Sequence, residues 1–131
     1  MKIEEQVLSI EQMKHLQELG VDTSDASMCW VTGEDASIVE GEWNLIIPNN
    51  FLLPYNIPTY TIGDLIEKLP KSIDLGFGEY DLELSIKGEY VEVQYENDYD
   101  DYTPFFCSNL SLIESLYRIL CWLAENHKEL L

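Results

Sequence analysis

Between Tyr80 and Glu96 apolar and polar residues alternate almost without a break. Tyr80, Leu82, Leu84 and Ile86 take turns with Asp81, Glu83, Ser85 and Lys87; after a turn near Gly88, Val91, Val93 and Tyr95 take turns with Glu92, Gln94 and Glu96. Successive side chains of a strand point to opposite faces. The pattern therefore predicts an antiparallel hairpin with one face on a core and the other in water. Any fold for this chain has to contain a sheet and something to cover its apolar face.

Three helical segments can supply that cover. The first runs from about Ile10 to Leu19, with Ser9 and Gln12 spaced as a capping box and Leu8 and Met13 at staple positions. Ile10, Met13, Leu16 and Leu19 form one stripe, and Gly20 stands where a left-handed residue ends a helix. The second runs from about Ile62 to Leu69, opened by a Thr61/Asp64 box and stopped by Pro70. The third runs from about Leu110 to Asn126, capped by Ser108 or Asn109. Its wide apolar arc, with Leu112, Leu116, Ile119 and Leu123 beside Ile113, Tyr117, Leu120 and Ala124, predicts a central helix lying across the sheet.

The remaining segments read as short strands and turns. Strands are expected at Met28–Thr32, Ser37–Val39, Trp43–Ile47 and Pro104–Cys107. The Pro- and Asn-rich stretch from Asn49 to Pro58 reads as irregular. Gly76-Phe77-Gly78 reads as a bend before the hairpin. The expected fold is α+β, an antiparallel sheet of four to five strands with two to three helices packed mainly on one face, in a single domain over residues 1–131.

The charge balance narrows the function classes. Twenty-five Asp and Glu stand against seven Lys and Arg in 131 residues, a formal net charge of −18. Residues 72 to 117 hold eleven of the acids and one basic residue, Lys87. Such a surface disfavours direct binding to nucleic acid or to an anionic membrane. Its natural complements are basic proteins, cations or water. Hydrophobic residues make up 46%, enough for a real core, so the acid excess does not imply disorder. Cys29, Cys107 and Cys121 are odd in number and widely spaced, which fits free thiols in a reducing compartment. Glu4, Glu5 and Gln6 interrupt any apolar leader, and Glu114 and Arg118 break the longest apolar run. A cytoplasmic protein is expected.

Three segments in order, SIEQMKHLQELGVD, PTYTIGDLIEKLP and NLSLIESLYRILCWLAENHKE, resemble small proteins encoded in prophages and other mobile elements of gut Bacteroidales. In that group a helix of the first type is followed by a Pro-Thr-led helix, a β-hairpin and an amphipathic C-terminal helix. The resemblance implies an origin and a fold type, and carries over no catalytic residue.

No nucleophile elbow, P-loop or dinucleotide fingerprint occurs. His15, four residues after Glu11, reads as a polar-face residue, and His127 as a cation at a helix end. Glu96, Asp98, Asp100 and Asp101 offer oxygen ligands but lack the spacing and glycine of a calcium loop, so a solvated acidic loop is expected. No catalytic residue, metal or cofactor is assigned. The candidate partner-binding face is acidic and aromatic: Asp81, Glu83, Tyr90, Glu92, Glu96, Asp98, Tyr99, Asp100, Asp101 and Tyr102. The leading expectation is a non-enzymatic accessory protein of a prophage or mobile element, acting through protein–protein contacts. The alternatives are an acidic DNA mimic that blocks a nucleic-acid-binding host protein, and a small enzyme using His15 or a carboxylate pair.

Overall fold

The computed structural model describes residues 3–32, 42–47 and 55–131. The fold is α+β, with three helices and two antiparallel sheets among the described residues. It divides into two compact units, Met1–Asp64 and Leu65–Leu131.

The first unit begins with a single 3₁₀ turn, Ile3–Gln6, and helix α1, Ile10–Glu18. The capping box forms as its spacing predicts: Gln12 N–H donates to Ser9 Oγ at 3.2 Å and Ser9 N–H donates to Gln12 Oε1 at 2.9 Å. Gly20 adopts φ +87°, which lets Gly20 N–H reach the Gln17 carbonyl and Val21 N–H reach the Leu16 carbonyl, both at 3.0 Å. Two carbonyls left over by the helix end are thereby satisfied. Strands β1 (Met28–Thr32), β2 (Asn44–Ile46) and β3 (Tyr55–Thr59) form a sheet in the order β2-β1-β3, and α1 packs against β3. Leu8, Met13, Leu16 and Tyr60 are fully buried, and Trp30 Nε1 and Thr59 Oγ1 both donate to the Leu8 carbonyl.

Strand β3 corrects the expectation of an irregular Asn49–Pro58. Pro58 lies inside β3, paired with Cys29 of β1. It is tolerated because β3 is an edge strand, where a missing N–H need not break a ladder. The strand expected at Ser37–Val39 lies outside the described residues.

Helix α2, Ile62–Lys68, spans the division between the units. Thr61 and Asp64 form the second capping box, with both bonds at 3.0 Å. The second unit then builds a four-stranded sheet in sequential order from β4 (Ser72–Asp74), β5 (Glu79–Lys87), β6 (Tyr90–Glu96) and β7 (Phe105–Asn109). Strand β4 was not legible in the sequence; Gly76-Phe77-Gly78 is the turn that joins it to β5. The β5–β6 hairpin closes over Gly88-Glu89 with Lys87 opposite Tyr90, and Gly88 has φ +63°. A two-residue loop with glycine first at positive φ suits the twist of the strands it joins.

Helix α3, Leu112–Asn126, packs on β6 and β7. Its cap is Ser111, whose hydroxyl accepts from Glu114 N–H. The expected start at Leu110 is two residues early because β7 holds Ser108 and Asn109, and Asn109 Oδ1 instead accepts from Ser111 N–H. Trp122 on the helix meets the rings of Tyr95 and Phe105, with centroids 6.2 and 5.5 Å away. Val93, Tyr95, Cys107, Leu116, Ile119, Leu120 and Leu123 are buried in this unit. The chain closes with a 3₁₀ turn, Lys128–Leu130.

Candidate functional site

Register divides the second sheet into two unlike faces. Leu82 stands opposite Tyr95, Leu84 opposite Val93 and Ile86 opposite Val91, and Val93 and Tyr95 in turn stand opposite Cys107 and Phe105. That face meets α3. The other face carries Asp81 opposite Glu96, Glu83 opposite Gln94, Ser85 opposite Glu92 and Lys87 opposite Tyr90. Asp74 of β4, paired with Glu79, adds two further acids at the margin.

The acids concentrate at the end of the hairpin away from its turn. Glu79, Asp81, Glu83 and Glu96, with Asn97, Asp98 and Tyr99 from the following loop, line an open groove of about 320 Å³. Like charges directly opposite one another weaken a sheet, by roughly 0.2–1 kcal/mol per pair. Glu96 is hydrogen-bonded to Glu83, which together with burial and the charges of Glu83 and Asp98 holds its carboxyl above the ordinary range.

The loop after β6 divides its residues between surface and support. Asn97 Oδ1 accepts from the backbone N–H groups of Tyr99 and Asp100, and Asn97 Nδ2 donates to the Glu79 carbonyl at 3.0 Å. Asp100 accepts from Tyr102 N–H at 3.0 Å and from the Tyr80 hydroxyl at 3.3 Å. Tyr102 stacks in a three-ring cluster with Phe77 and Tyr80, at centroid distances of 5.7 and 5.9 Å. Asp100 and Tyr102 thus shape the loop. Tyr99, 95% exposed, and Asp101 project into solvent. Tyr90 is exposed near the turn, and Glu92 lies between it and the groove along β6.

Of the ten residues expected at the site, the register brings Asp81, Glu83, Tyr90, Glu92 and Glu96 onto one face, and the groove adds Asp98 and Tyr99. Glu79 and Asn97 were missed. Glu79 is in phase with Asp81 and Glu83, a signal present in the alternation. Asn97 had none, because its role is to fold the loop.

The other candidates stand apart. His15 Nδ1 lies 4.0 Å from Glu18 on a half-exposed helix face. His127 is the C-cap of α3, with its ring 5.0 Å from that of Trp122. The three cysteines are free thiols, and burial raises the pKa of Cys29 and Cys121. Among the described residues no group of three His, Cys, Asp or Glu converges closely enough to hold a metal ion. Nor, among them, is any helix long and apolar enough to cross a membrane. Compared with known proteins, the chain matches no family model, no curated protein and no solved structure.

Proposed function

We propose that this chain is a non-enzymatic binding protein that acts through protein–protein contacts, meeting a basic partner with the acidic face of its second sheet. The observation that supports the reading is the pairing of Asp81 with Glu96 on the face turned away from α3. That arrangement weakens the hairpin and contributes nothing to the core. A face that carries such repulsion is accounted for by a partner that relieves it. A role as an accessory protein of a prophage or other mobile element rests on the sequence resemblance alone.

A second, narrower reading is mimicry of a nucleic acid. Alternate residues along one strand face lie ~6.8 Å apart, close to the repeat of phosphates along a nucleic-acid strand. Glu79, Asp81 and Glu83 make such a row on β5. The partner would then be a protein whose own ligand is DNA or RNA.

One experiment tests both. Tagged protein is incubated with nuclease-treated lysate of a Bacteroidales host, washed, and eluted in steps of rising salt. The expected result is a basic protein released at moderate salt and lost when Asp81, Glu83, Glu92 and Glu96 are changed together to Lys. A nucleic-acid-binding protein in that eluate supports mimicry; a basic protein of another kind supports the broader reading. Retention that survives both high salt and charge reversal overturns both.

A further inference from the structure

Strand β5 is longer than its outer neighbour. Strand β4 pairs with it only from Glu79 to Asp81, and one further bond runs from Leu82 N–H to the Lys71 carbonyl at 2.9 Å. Beyond that point β5 continues for five residues, Glu83 to Lys87, whose only strand partner among the described residues is β6. In an antiparallel ladder alternate residues direct their backbone groups to alternate sides. Leu82 bonds outward to Lys71, and Lys87 flanks the two-residue turn and bonds inward to Tyr90. Leu84 and Ile86 therefore direct two N–H and two C=O groups outward, unpaired among the described residues. Natural edges are usually short, covered or bulged; among the described residues no strand covers this stretch of β5.

The flanks of this edge differ. On the α3 side a groove of about 360 Å³ is lined by Leu84, Ser85, Ile86, Val91 and Leu112. Helix α3 reaches it with its first residue, Leu112, and Ile86 stays 78% and Leu84 40% exposed. On the opposite side Glu83 continues the row of Asp81 and Glu96, and Ser85 stands beside Glu92.

We propose that the outer edge of β5 is a strand-addition site for an extended segment that alternates apolar and basic side chains. Added strands bind through main-chain hydrogen bonds and are selected by pockets for alternate side chains. Residues set opposite Leu84 and Ile86 point into the apolar groove. Residues set opposite Glu83 and Ser85 point over the carboxylates, where Lys or Arg is the complement. A second copy of this chain would satisfy the backbone groups, but two molecules at −18 repel one another. The proposal rests on the reading of the acidic face as a partner surface, and adds to it the form of the partner: a strand.

The test uses the whole chain and a synthetic peptide of roughly seven residues alternating Val and Lys, long enough to cover the open edge. Amide exchange is followed residue by residue by NMR. The expected result is that the peptide slows exchange at Leu84 and Ile86 by at least about tenfold, as new hydrogen bonds should. A peptide of the same sequence with its facing amides N-methylated should bind more weakly and protect less, because it keeps its charge and side chains but cannot donate to the Leu84 and Ile86 carbonyls and carries methyl groups on its pairing edge. Ile86→Pro, which removes one outward N–H and no bond within the sheet, should weaken binding of the unmodified peptide. Shifts at Glu92 and Glu96 without protection of Leu84 and Ile86 overturn the strand-addition site and leave the acidic-face reading standing. No binding by any lysine peptide overturns both. Protection that grows with protein concentration alone identifies a second copy as the occupant and overturns the proposal.

Discussion

Asp64, in the first turn of α2, closes back on Ser27, thirty-seven residues earlier, accepting from both its backbone N–H at 3.0 Å and its hydroxyl. The same carboxylate completes the capping box with Thr61. Burial opposes its ionisation, but the bonds from Ser27 and Thr61 outweigh that and hold its pKa below the ordinary 3.8. Asp64→Ala should therefore lower stability by about 1–2 kcal/mol, the upper range for loss of a cap. Asp64→Asn, which keeps an acceptor, should lose less. The folded state binds this proton less readily than the unfolded chain. Its contribution is thus complete above the ordinary pKa and is lost as pH falls through the depressed one. Urea unfolding of both variants between neutral and acid pH checks this: the acid-side slope should flatten when Asp64 is replaced.

Four tyrosines ionise less readily than free phenols. Burial raises Tyr60, Tyr80, Tyr95 and Tyr117 above their ordinary 10.0, and Tyr60 and Tyr80 are raised further by their bonds to Asp25 and Asp100. Tyr95 also donates to the Pro70 carbonyl at 2.7 Å. The unfolded chain ionises these phenols first, so stability should hold up to about pH 10 and fall as pH rises beyond it. Tyrosinate absorbance should rise in two stages, the second coinciding with loss of the folded far-ultraviolet signal. A single stage complete before unfolding would contradict the raised values of these four rings.

Glu96→Gln should make the protein more stable and a weaker binder. It removes one of two like charges set opposite each other, so stability at neutral pH should rise. The raised pKa of Glu96 means that the native hairpin takes up a proton more readily than the unfolded chain. Wild-type protein should gain stability as pH falls from neutral toward the carboxylate range, and the Gln variant should show less of that gain. Thermal melts across mildly acidic pH, beside the salt-eluted capture assay, measure both effects. A variant that binds as well as wild type would remove Glu96 from the partner surface.

Two glycines should respond in opposite ways to alanine. A methyl group on Gly78 would stand 2.8 Å from the Tyr80 hydroxyl and 3.1 Å from its ring, so Gly78→Ala should displace that ring from Phe77 and Tyr102 and destabilise by about 1–3 kcal/mol. On Gly63, within α2, it would meet only Thr61 Oγ1 at an ordinary 3.7 Å. Gly63→Ala should stabilise by roughly 0.5–1 kcal/mol through helix propensity. Chemical denaturation of the two variants gives both signs.

Signals confined to a few neighbouring residues were legible in the sequence. The two capping boxes, the left-handed Gly20 and the alternation from Tyr80 to Tyr95 each state their own geometry. Features that depend on distant partners were not. Strand β3 passes through Pro58 because β1 accepts it as an edge, and nothing near Pro58 announces that. Strand β4 has one buried residue, Ile73, too few to make a pattern. Alternation placed Leu84 and Ile86 on the face that meets α3, yet could not say that both stay exposed there, with Leu112 of the helix beside them. The acidic rows of the site followed from the same alternation, whereas the duties of Asn97 and Asp100 are set by how the loop folds.

The two faces of the second sheet also face different physical constraints on substitution. Positions turned toward α3 are constrained by packing, and a change there is felt at once in the fold. Positions 81, 83, 92 and 96 touch no core, and by the energetics of like charge the hairpin would drift toward neutral residues there if folding alone were weighed. If a basic partner holds them there, acids should persist at those four positions among descendants of this sequence and be lost together where the partner is lost.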